Sequence, residues 1–261
     1  MIKAIFFDID GTLVSFNTHE VPESTKECLK KLREKGVKLF VATGRSPQMF
    51  NVVKEVLGFE FDGYVMINGQ YCTVDGKAVH EMKIPVDSLE KMIPYIQKKN
   101  IACEFVELDH MYINCINDRV IELREYLGDT APDSKVEDLD RIYKNDIYQL
   151  CAYVREHEED DFLNHLPGCE AVRWNPLFAD IIPSGGGKDI GIGKILEYLG
   201  ITREECMAFG DGGNDISMLK YVGTGVAMGN AGDDVKEIAD YVTETVDNDG
   251  IKAALEKFNV L

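Results

Sequence analysis

Positive charge is what this chain has least of. Its 261 residues carry 28 Lys and Arg against 46 Asp and Glu, a net charge of −18. A surface of that sign repels nucleic acid and anionic membranes, so neither is an expected partner. It also repels phosphate esters, so a phosphate site here needs a metal or local cations. Paired cysteine motifs are missing too: the seven cysteines are an odd number and form no CxxC. That excludes a disulfide framework and a structural zinc site as expectations. Most of the thiols stand in apolar runs and are expected to be buried, in a reducing compartment. No apolar run approaches the ~20 residues needed to span a bilayer. The first residues hold one Lys and a short apolar run that meets Asp8 at once, unlike a signal peptide, so a cytoplasmic location is expected. Tryptophan occurs once, at Trp174, and is expected in the core.

What is present is an ordinary globular composition, 45% hydrophobic, on a length that suits one large domain or two smaller ones. Residues 2–7 are apolar and β-forming and read as a buried strand ending at Asp8. A helical pattern over 22–35 stops at Gly36, an apolar run follows at 37–42, a helix over 47–57 closes at Gly58, and a third strand covers 64–67. Strand–helix–strand–helix–strand means a parallel sheet with crossover helices, whose ligands bind beyond the carboxyl ends of the strands. Asp8, Thr43 and Asn68 all fall there. The pattern then changes. Residues 71–82 read as a hairpin about Asp75-Gly76. Beyond it come a helix at 86–99, strands at 101–107 and 110–117, a helix at 119–127 and a polar stretch at 128–146. A strand at 147–154, a helix at 156–165 and strands at 169–174 and 177–182 complete an α+β insert with an antiparallel sheet. Pro85 and Pro183-Ser184-Gly185-Gly186-Gly187 are its expected hinges. A helix at 188–199 and a strand at 206–209 resume the α/β alternation.

Four motifs carry chemistry. In Asp8-Ile9-Asp10-Gly11-Thr12, two carboxylates two residues apart on extended backbone face one side, and they repel each other without a cation. Gly11 lets the chain turn sharply and lets N–H groups approach an anion. The competing reading is an acidic turn after a strand. In Val41-Ala42-Thr43-Gly44-Arg45, Thr43 offers a hydroxyl and the following N–H groups suit phosphoryl oxygens, or the segment is simply a helix cap ahead of Pro47. Lys188 follows three glycines at a helix start, where it either neutralises a phosphate or is solvated. Gly210-Asp211-Gly212-Gly213-Asn214-Asp215 follows an apolar strand and offers hard oxygen ligands of the kind magnesium takes, with a calcium-type loop or a plain turn as the other readings.

In this order and spacing the four motifs resemble the haloacid dehalogenase superfamily of phosphohydrolases. The long insert between the second and third motifs, and Asn68-Gly69, resemble its Cof-type sugar-phosphate phosphatases. Two positions depart from that pattern: Asp189 stands where Gly is common, and Gln70 where Ala is usual. The resemblance implies an α/β fold, with a Rossmann-like parallel-sheet core over residues 1–84 and 185–261. An inserted α+β cap of type C2 would occupy 85–184. It implies Mg2+-dependent hydrolysis of small phosphate monoesters, hexose phosphates above all, through an aspartyl phosphate. Asp8 would attack phosphorus, and Asp10 would protonate the leaving alcohol and then deprotonate water. Magnesium would be held by Asp8, the backbone carbonyl of Asp10 and Asp211, with Asp215 a ligand or a close neighbour. Thr43, Gly44, Lys188 and Asn214 would bind the phosphoryl group, and Arg45 and Asn68 would face the substrate.

The insert is the least legible part. Residues 86–182 hold 21 acidic and 10 basic residues, which carries −11 of the −18 and disfavours large polyanions. A sugar phosphomutase on the same core would need cap cations for a second phosphate, and Arg119, Arg124, Arg141, Arg155 and Arg173 are scattered in sequence. A non-enzymatic sensor of phosphorylated metabolites is a third reading, opposed by the presence of both Asp8 and Asp10. Pyridoxal phosphate and flavin mononucleotide stay open as substrates, and the oligomeric state, with a monomer compatible, is not read from the sequence.

Overall fold

The structure is a computed structural model that describes residues 1–127 and 134–261. Residues 128–133 of the expected polar stretch lie outside the described residues. The chain divides into two compact units, Met1–Glu81 with Gly186–Leu261, and Met82–Gly185. The sequence reading put these junctions at 84/85 and 184/185.

The first unit opens with β1 (Ala4–Phe7), α1 (Glu23–Glu34), β2 (Lys38–Ala42), α2 (Pro47–Leu57), β3 (Gly63–Met66), β4 (Tyr71–Val74) and β5 (Lys77–Glu81). The second unit holds α3 (Val86–Lys99), β6 (Cys103–Val106), β7 (Met111–Ile113), α4 (Asp118–Leu127), β8 (Lys135–Val136), β9 (Gln149–Ala152), α5 (Glu159–Leu163), β10 (Cys169–Asn175) and β11 (Phe178–Pro183). The chain then completes the first unit with α6 (Lys188–Leu199), β12 (Cys206–Gly210), α7 (Ile216–Tyr221), β13 (Thr224–Ala227), α8 (Asp233–Ile238), β14 (Tyr241–Val242) and α9 (Gly250–Lys257).

The sheet of the first unit runs β14-β13-β12-β1-β2-β3-β4-β5. Its strands are parallel from β14 to β3, and β4 and β5 add antiparallel. This is the Rossmann-like α/β arrangement. β1 is central and wholly buried, which is why it reads as one apolar run rather than an alternation. Phe6 stacks on Phe40 at 4.9 Å, and Phe7, pointing to the other face, stacks on Phe209 at 5.3 Å. Local punctuation sets the helices. Ser46 accepts a bond from Met49 N–H at 3.3 Å ahead of Pro47, and Gly58 ends α2 in the left-handed region. α6 lies so close to the sheet that a Cβ on Gly191 would stand 2.7 Å from Cys72 Sγ. That approach brings Lys188, its first residue, to the sheet.

The sheet of the second unit runs β10-β11-β9-β6-β7-β8. It is antiparallel except that β8, inside the stretch expected to be merely polar, pairs parallel with β7. Leu89, Met92 and Ile96 of α3 pack with Phe105, Leu150, Ala152 and Ile181 from one face of that sheet. The strand expected at 110–117 stops at Ile113 because side chains replace the ladder. Asn114 Oδ1 accepts from Cys103 N–H at 2.7 Å and its amide donates to Ile101 O at 2.9 Å. Asn117 Oδ1 then caps the start of α4 through Arg119 and Val120 N–H. The helix expected at 156–165 is a 3-10 turn at Glu156–Glu158 followed by the short α5. Trp174 is not a core residue: it is half-exposed on the edge strand β10, edge-on to Phe178, with its indole N–H donating to Asp180 Oδ2 at 3.1 Å. That bond satisfies its polar atom without full burial.

The seven cysteines are free, with Cys28, Cys72, Cys103 and Cys206 buried and Cys115, Cys151 and Cys169 partly exposed. Among the described residues no helix is long and apolar enough to cross a membrane.

Candidate active site

Asp8 follows β1 directly, and its N–H makes a last ladder bond to Phe209 O at 3.0 Å. The chain then leaves the extended path. Thr12 and Val14 N–H both donate to Ile9 O, at 3.3 and 2.8 Å, closing a turn that Gly11 permits at φ +85°. The turn follows the Asp8-Ile9-Asp10 segment, and Asp10 itself forms a β-bridge with Val14. Any larger residue at position 11 would collide, since a Cβ there would stand 2.2 Å from Asp211 Oδ2. Asp8 is buried; the Asp10 side chain is 42% exposed.

Lys188 is fully buried and spends all three ammonium protons. It donates to Asp8 Oδ1 at 2.7 Å, Asp215 Oδ1 at 2.6 Å and Ala42 O at 2.9 Å. It is not the solvated lysine of the competing reading. Asp215, also buried, accepts at Oδ2 from the N–H groups of Asp211 and Gly212, at 2.9 and 3.0 Å, and so folds the loop after β12 around its own carboxylate. Asp211 is held by the Thr12 hydroxyl at 3.0 Å. Carboxylate oxygens of Asp8, Asp211 and Asp215 all lie within 4.8 Å of one another.

The loops after β2 and β3 meet beside this cluster. Thr43 Oγ1 accepts from Arg45 N–H at 3.2 Å, and Asn68 N–H donates to Thr43 O at 3.0 Å. Asn214 donates its amide to Asn68 Oδ1 at 3.1 Å. Gly44 passes so close to Asn68 that an added Cβ would stand 3.2 Å from its amide. Arg45, expected against the substrate, is found on Asp10: Nε to Oδ2 at 3.0 Å and Nη2 to Oδ1 at 2.9 Å, a two-pronged pair.

Charge is concentrated here at a cost. Burial, then the neighbouring Asp215, pushes the Asp8 carboxyl well above its usual range, with Lys188 pulling it down. Burial and Asp215 push Asp211 up to about 7, against the stabilising bond from Thr12. Burial opposes the Lys188 ammonium, yet Asp215 and Asp8 together hold its pKa above the usual lysine value. The cluster is thus short of positive charge, with one ammonium among three buried or half-buried carboxylates.

Two further participants escape the sequence reading. Thr12 lies inside the first motif without having been given a role. Asn230 donates to Gly11 O at 2.8 Å and to Asp211 Oδ2 at 3.3 Å while accepting from Val246 N–H at 3.0 Å. Its one sequence signal is position: it lies just past the carboxyl end of β13, where parallel sheets place their ligand loops.

Comparison with known proteins agrees with this architecture. The haloacid dehalogenase-like hydrolase family matches residues 5–255. YkrA of Bacillus subtilis strain 168, a candidate phosphatase, is 35% identical over 260 residues, 99% of this chain and 98% of YkrA. The solved structure of BT1666, a haloalkanoate-superfamily phosphatase from Bacteroides thetaiotaomicron, superposes with a TM-score of 0.92 at 36% identity, covering 100% of this chain and 96% of that one. That of BT4131, described as a subclass IIB sugar phosphatase, gives 0.89 at 40% identity over 99% of this chain and 100% of that one. With one family spanning nearly its whole length and phosphatases among its relatives, the chain belongs to the haloacid dehalogenase superfamily, in its Cof-type branch, and is a phosphatase.

Proposed function

We propose that this phosphatase hydrolyses small phosphate monoesters, hexose phosphates first among them, with Mg2+ and through an aspartyl phosphate on Asp8. The observation that carries the reading is Asp8 at the end of the central strand, pinned by Lys188 with Asp211 and Asp215 alongside. Mg2+ takes hard oxygen ligands at about 2.1 Å in an octahedron, so ligand oxygens about 3–4 Å apart suit it. Carboxylate oxygens gathered within 4.8 Å of one another are the donor type and the clustering that such an ion needs. Asp8, Asp211 and the backbone carbonyl of Asp10 would hold it. Asp215 would stand beside it, since its oxygens already serve Lys188 and two N–H groups. When bound, the ion offsets the repulsion between the Asp8 carboxylate and an anionic ester.

The protein's own groups divide the rest. An Asp8 oxygen bonds to phosphorus as the ester P–O bond breaks, and Asp10 gives the departing oxygen its proton. Asp10 then takes a proton from the water that cleaves the acyl phosphate and regenerates Asp8. The Thr43 hydroxyl, Gly44 N–H, Lys188 and the Asn214 amide bind the transferring oxygens, and positioning with charge stabilisation supplies most of the rate.

A sugar phosphate is favoured by the likeness to BT4131, and four of the second unit's five arginines named above speak against a mutase. Arg119, Arg141, Arg155 and Arg173 are each paired with a carboxylate, Glu158, Glu107, Glu122 and Glu159 in turn. Paired arginines make a poor seat for the second phosphate that a mutase needs. Phosphate release from a panel of small phosphate esters with Mg2+ tests the reading. Wild type is expected to release phosphate from a hexose phosphate, and Asp8→Asn or a chelator to abolish it. Isomerised hexose phosphate in place of free phosphate, or full activity in either control, overturns it.

A further inference from the structure

We propose that Arg45 is a positioning residue that sets the plane of the Asp10 carboxylate, and that it is not a substrate-phosphate ligand. The proposal rests on the acid/base role given to Asp10 above. Asp10 sits in a turn with its side chain 42% exposed, where a short carboxylate on its own samples several rotamers. The guanidinium fork engages both oxygens, at 3.0 and 2.9 Å, and a planar fork on a planar carboxylate fixes its twist as well as its direction. It uses one lone pair on each oxygen. The carboxylate has about four lone-pair sites in all, so one per oxygen is left for proton exchange with the leaving oxygen or with water.

The anchor behind the fork is also built. Arg45 N–H is tied to Thr43 Oγ1 at 3.2 Å, and Arg45 O accepts from Ile67 N–H at 3.1 Å. Ile67 and Asn68 hold φ of +52° and +49°. Left-handed backbone is costly for any β-branched residue, so a buried isoleucine there marks a segment whose shape is imposed by its surroundings. That shape delivers the Ile67 N–H to Arg45 and the Asn68 side chain to Asn214. Arg45 is thus held at both backbone groups while its side chain is turned to Asp10.

A residue that acts by aiming the proton donor is told apart by the leaving group. An alkyl alcohol needs a proton as it departs; p-nitrophenolate does not. Arg45→Met is expected to lower kcat/KM for glucose 6-phosphate by about 100-fold, within the span of general acid catalysis, and for p-nitrophenyl phosphate by less than about tenfold. Arg45→Lys, which keeps the charge without the fork, is expected between Met and wild type and guards against a folding defect in the first variant. In Asp10→Asn the further change Arg45→Met is expected to do little, because the two act as one unit. Equal losses on both esters with a raised KM make Arg45 a phosphate ligand and overturn the proposal, as do additive losses in the double variant. Failure of the phosphatase reading is seen separately, as no phosphate release from either ester by wild type.

Discussion

Replacing Lys188 by methionine keeps most of the buried stem and removes the ammonium. Three acceptors then lose their donor: Asp8 Oδ1, Asp215 Oδ1 and Ala42 O. Hydrogen bonds from charged groups contribute about 1.5–3 kcal/mol each and a neutral acceptor about 1 kcal/mol, so the gross loss is about 4–7 kcal/mol. Proton uptake by Asp8 returns part of it. The net expectation is about 3–5 kcal/mol, the usual result of removing one partner from a buried ion pair. The sign of the pH dependence follows. Asp8 is already held above its unfolded value, and losing Lys188 raises it further, so the folded variant binds more protons than the unfolded chain. Stability of the variant is then lost as pH rises above the unfolded carboxyl value, and the deficit is smaller at pH 5 than at pH 8. Wild type lacks this extra slope, because Lys188 stays charged across the whole window.

Urea unfolding followed by two probes separates the units. Trp174, the chain's one tryptophan, belongs to the second unit, so its fluorescence follows that unit while circular dichroism follows both. The Lys188→Met loss belongs in the part of the dichroism transition that the fluorescence does not share. A deficit below about 1 kcal/mol at pH 8, or equal deficits at pH 5 and pH 8, refutes the account of a buried ammonium compensating two carboxylates.

Gly11→Ala forces a side chain onto φ +85° and within 2.2 Å of Asp211 Oδ2. Strain of about 1–3 kcal/mol is expected, lowering the thermal midpoint by about 2–4 °C per kcal/mol; an unchanged midpoint contradicts the geometry. Asp211, pushed up to about 7 in the folded state, keeps a proton that the unfolded chain gives up near the ordinary carboxyl value. Without metal it therefore destabilises the fold increasingly as pH rises from about 4 to about 7. The midpoint advantage of Asp211→Asn over wild type should grow across that interval, and a flat difference rules the shift out. Asn230→Ala removes the bonds to Gly11 O and Asp211 Oδ2, and the Mg2+ concentration for half-maximal activity should rise about 10–100-fold, as for other residues that orient metal ligands. An unchanged Mg2+ titration would show that Asp211 is oriented without it.

The core was legible in the sequence where punctuation and burial agree. β1 reads correctly because a strand buried on both faces is apolar without alternation. α2 and α6 match to the residue because Ser46-Pro47 with Gly58, and Gly187 with Gly200, mark their ends. The second unit was harder to read for a physical reason: its strand ends are set by side chains that imitate the ladder. Asn114 and Asn117 take over backbone partners that alternation cannot announce. The Arg45–Asp10 pair spans 35 residues, and nothing local in either motif favours it over an arginine turned to substrate. Trp174 was misplaced because the propensity of tryptophan for the interior counts its ring and not its N–H, which reaches the buried Asp180 carboxylate while the ring stays half-exposed.

Strand order explains which residues can share the chemistry. Neighbouring strands lie about 4.8 Å apart, so the loops after β12 and β2 begin one strand spacing from Asp8, and those after β13 and β3 two spacings away. The nearer pair supplies Asp211, Asp215 and Thr43. The farther pair supplies Asn230 and Asn68: Asn230 holds Asp211 on the loop after β12 and Gly11 O on the loop after β1, and Asn68 holds Asn214 and Thr43 O. The loop after β2 brings the Arg45 guanidinium to Asp10. Lys188 arrives another way, from α6, which crosses the face of the sheet at the distance Gly191 allows. A larger residue at 191 would lift α6 off Cys72 and Val65 and withdraw the ammonium from both carboxylates. Gly191 is in this way as much a condition of the charge balance at Asp8 as Lys188 itself.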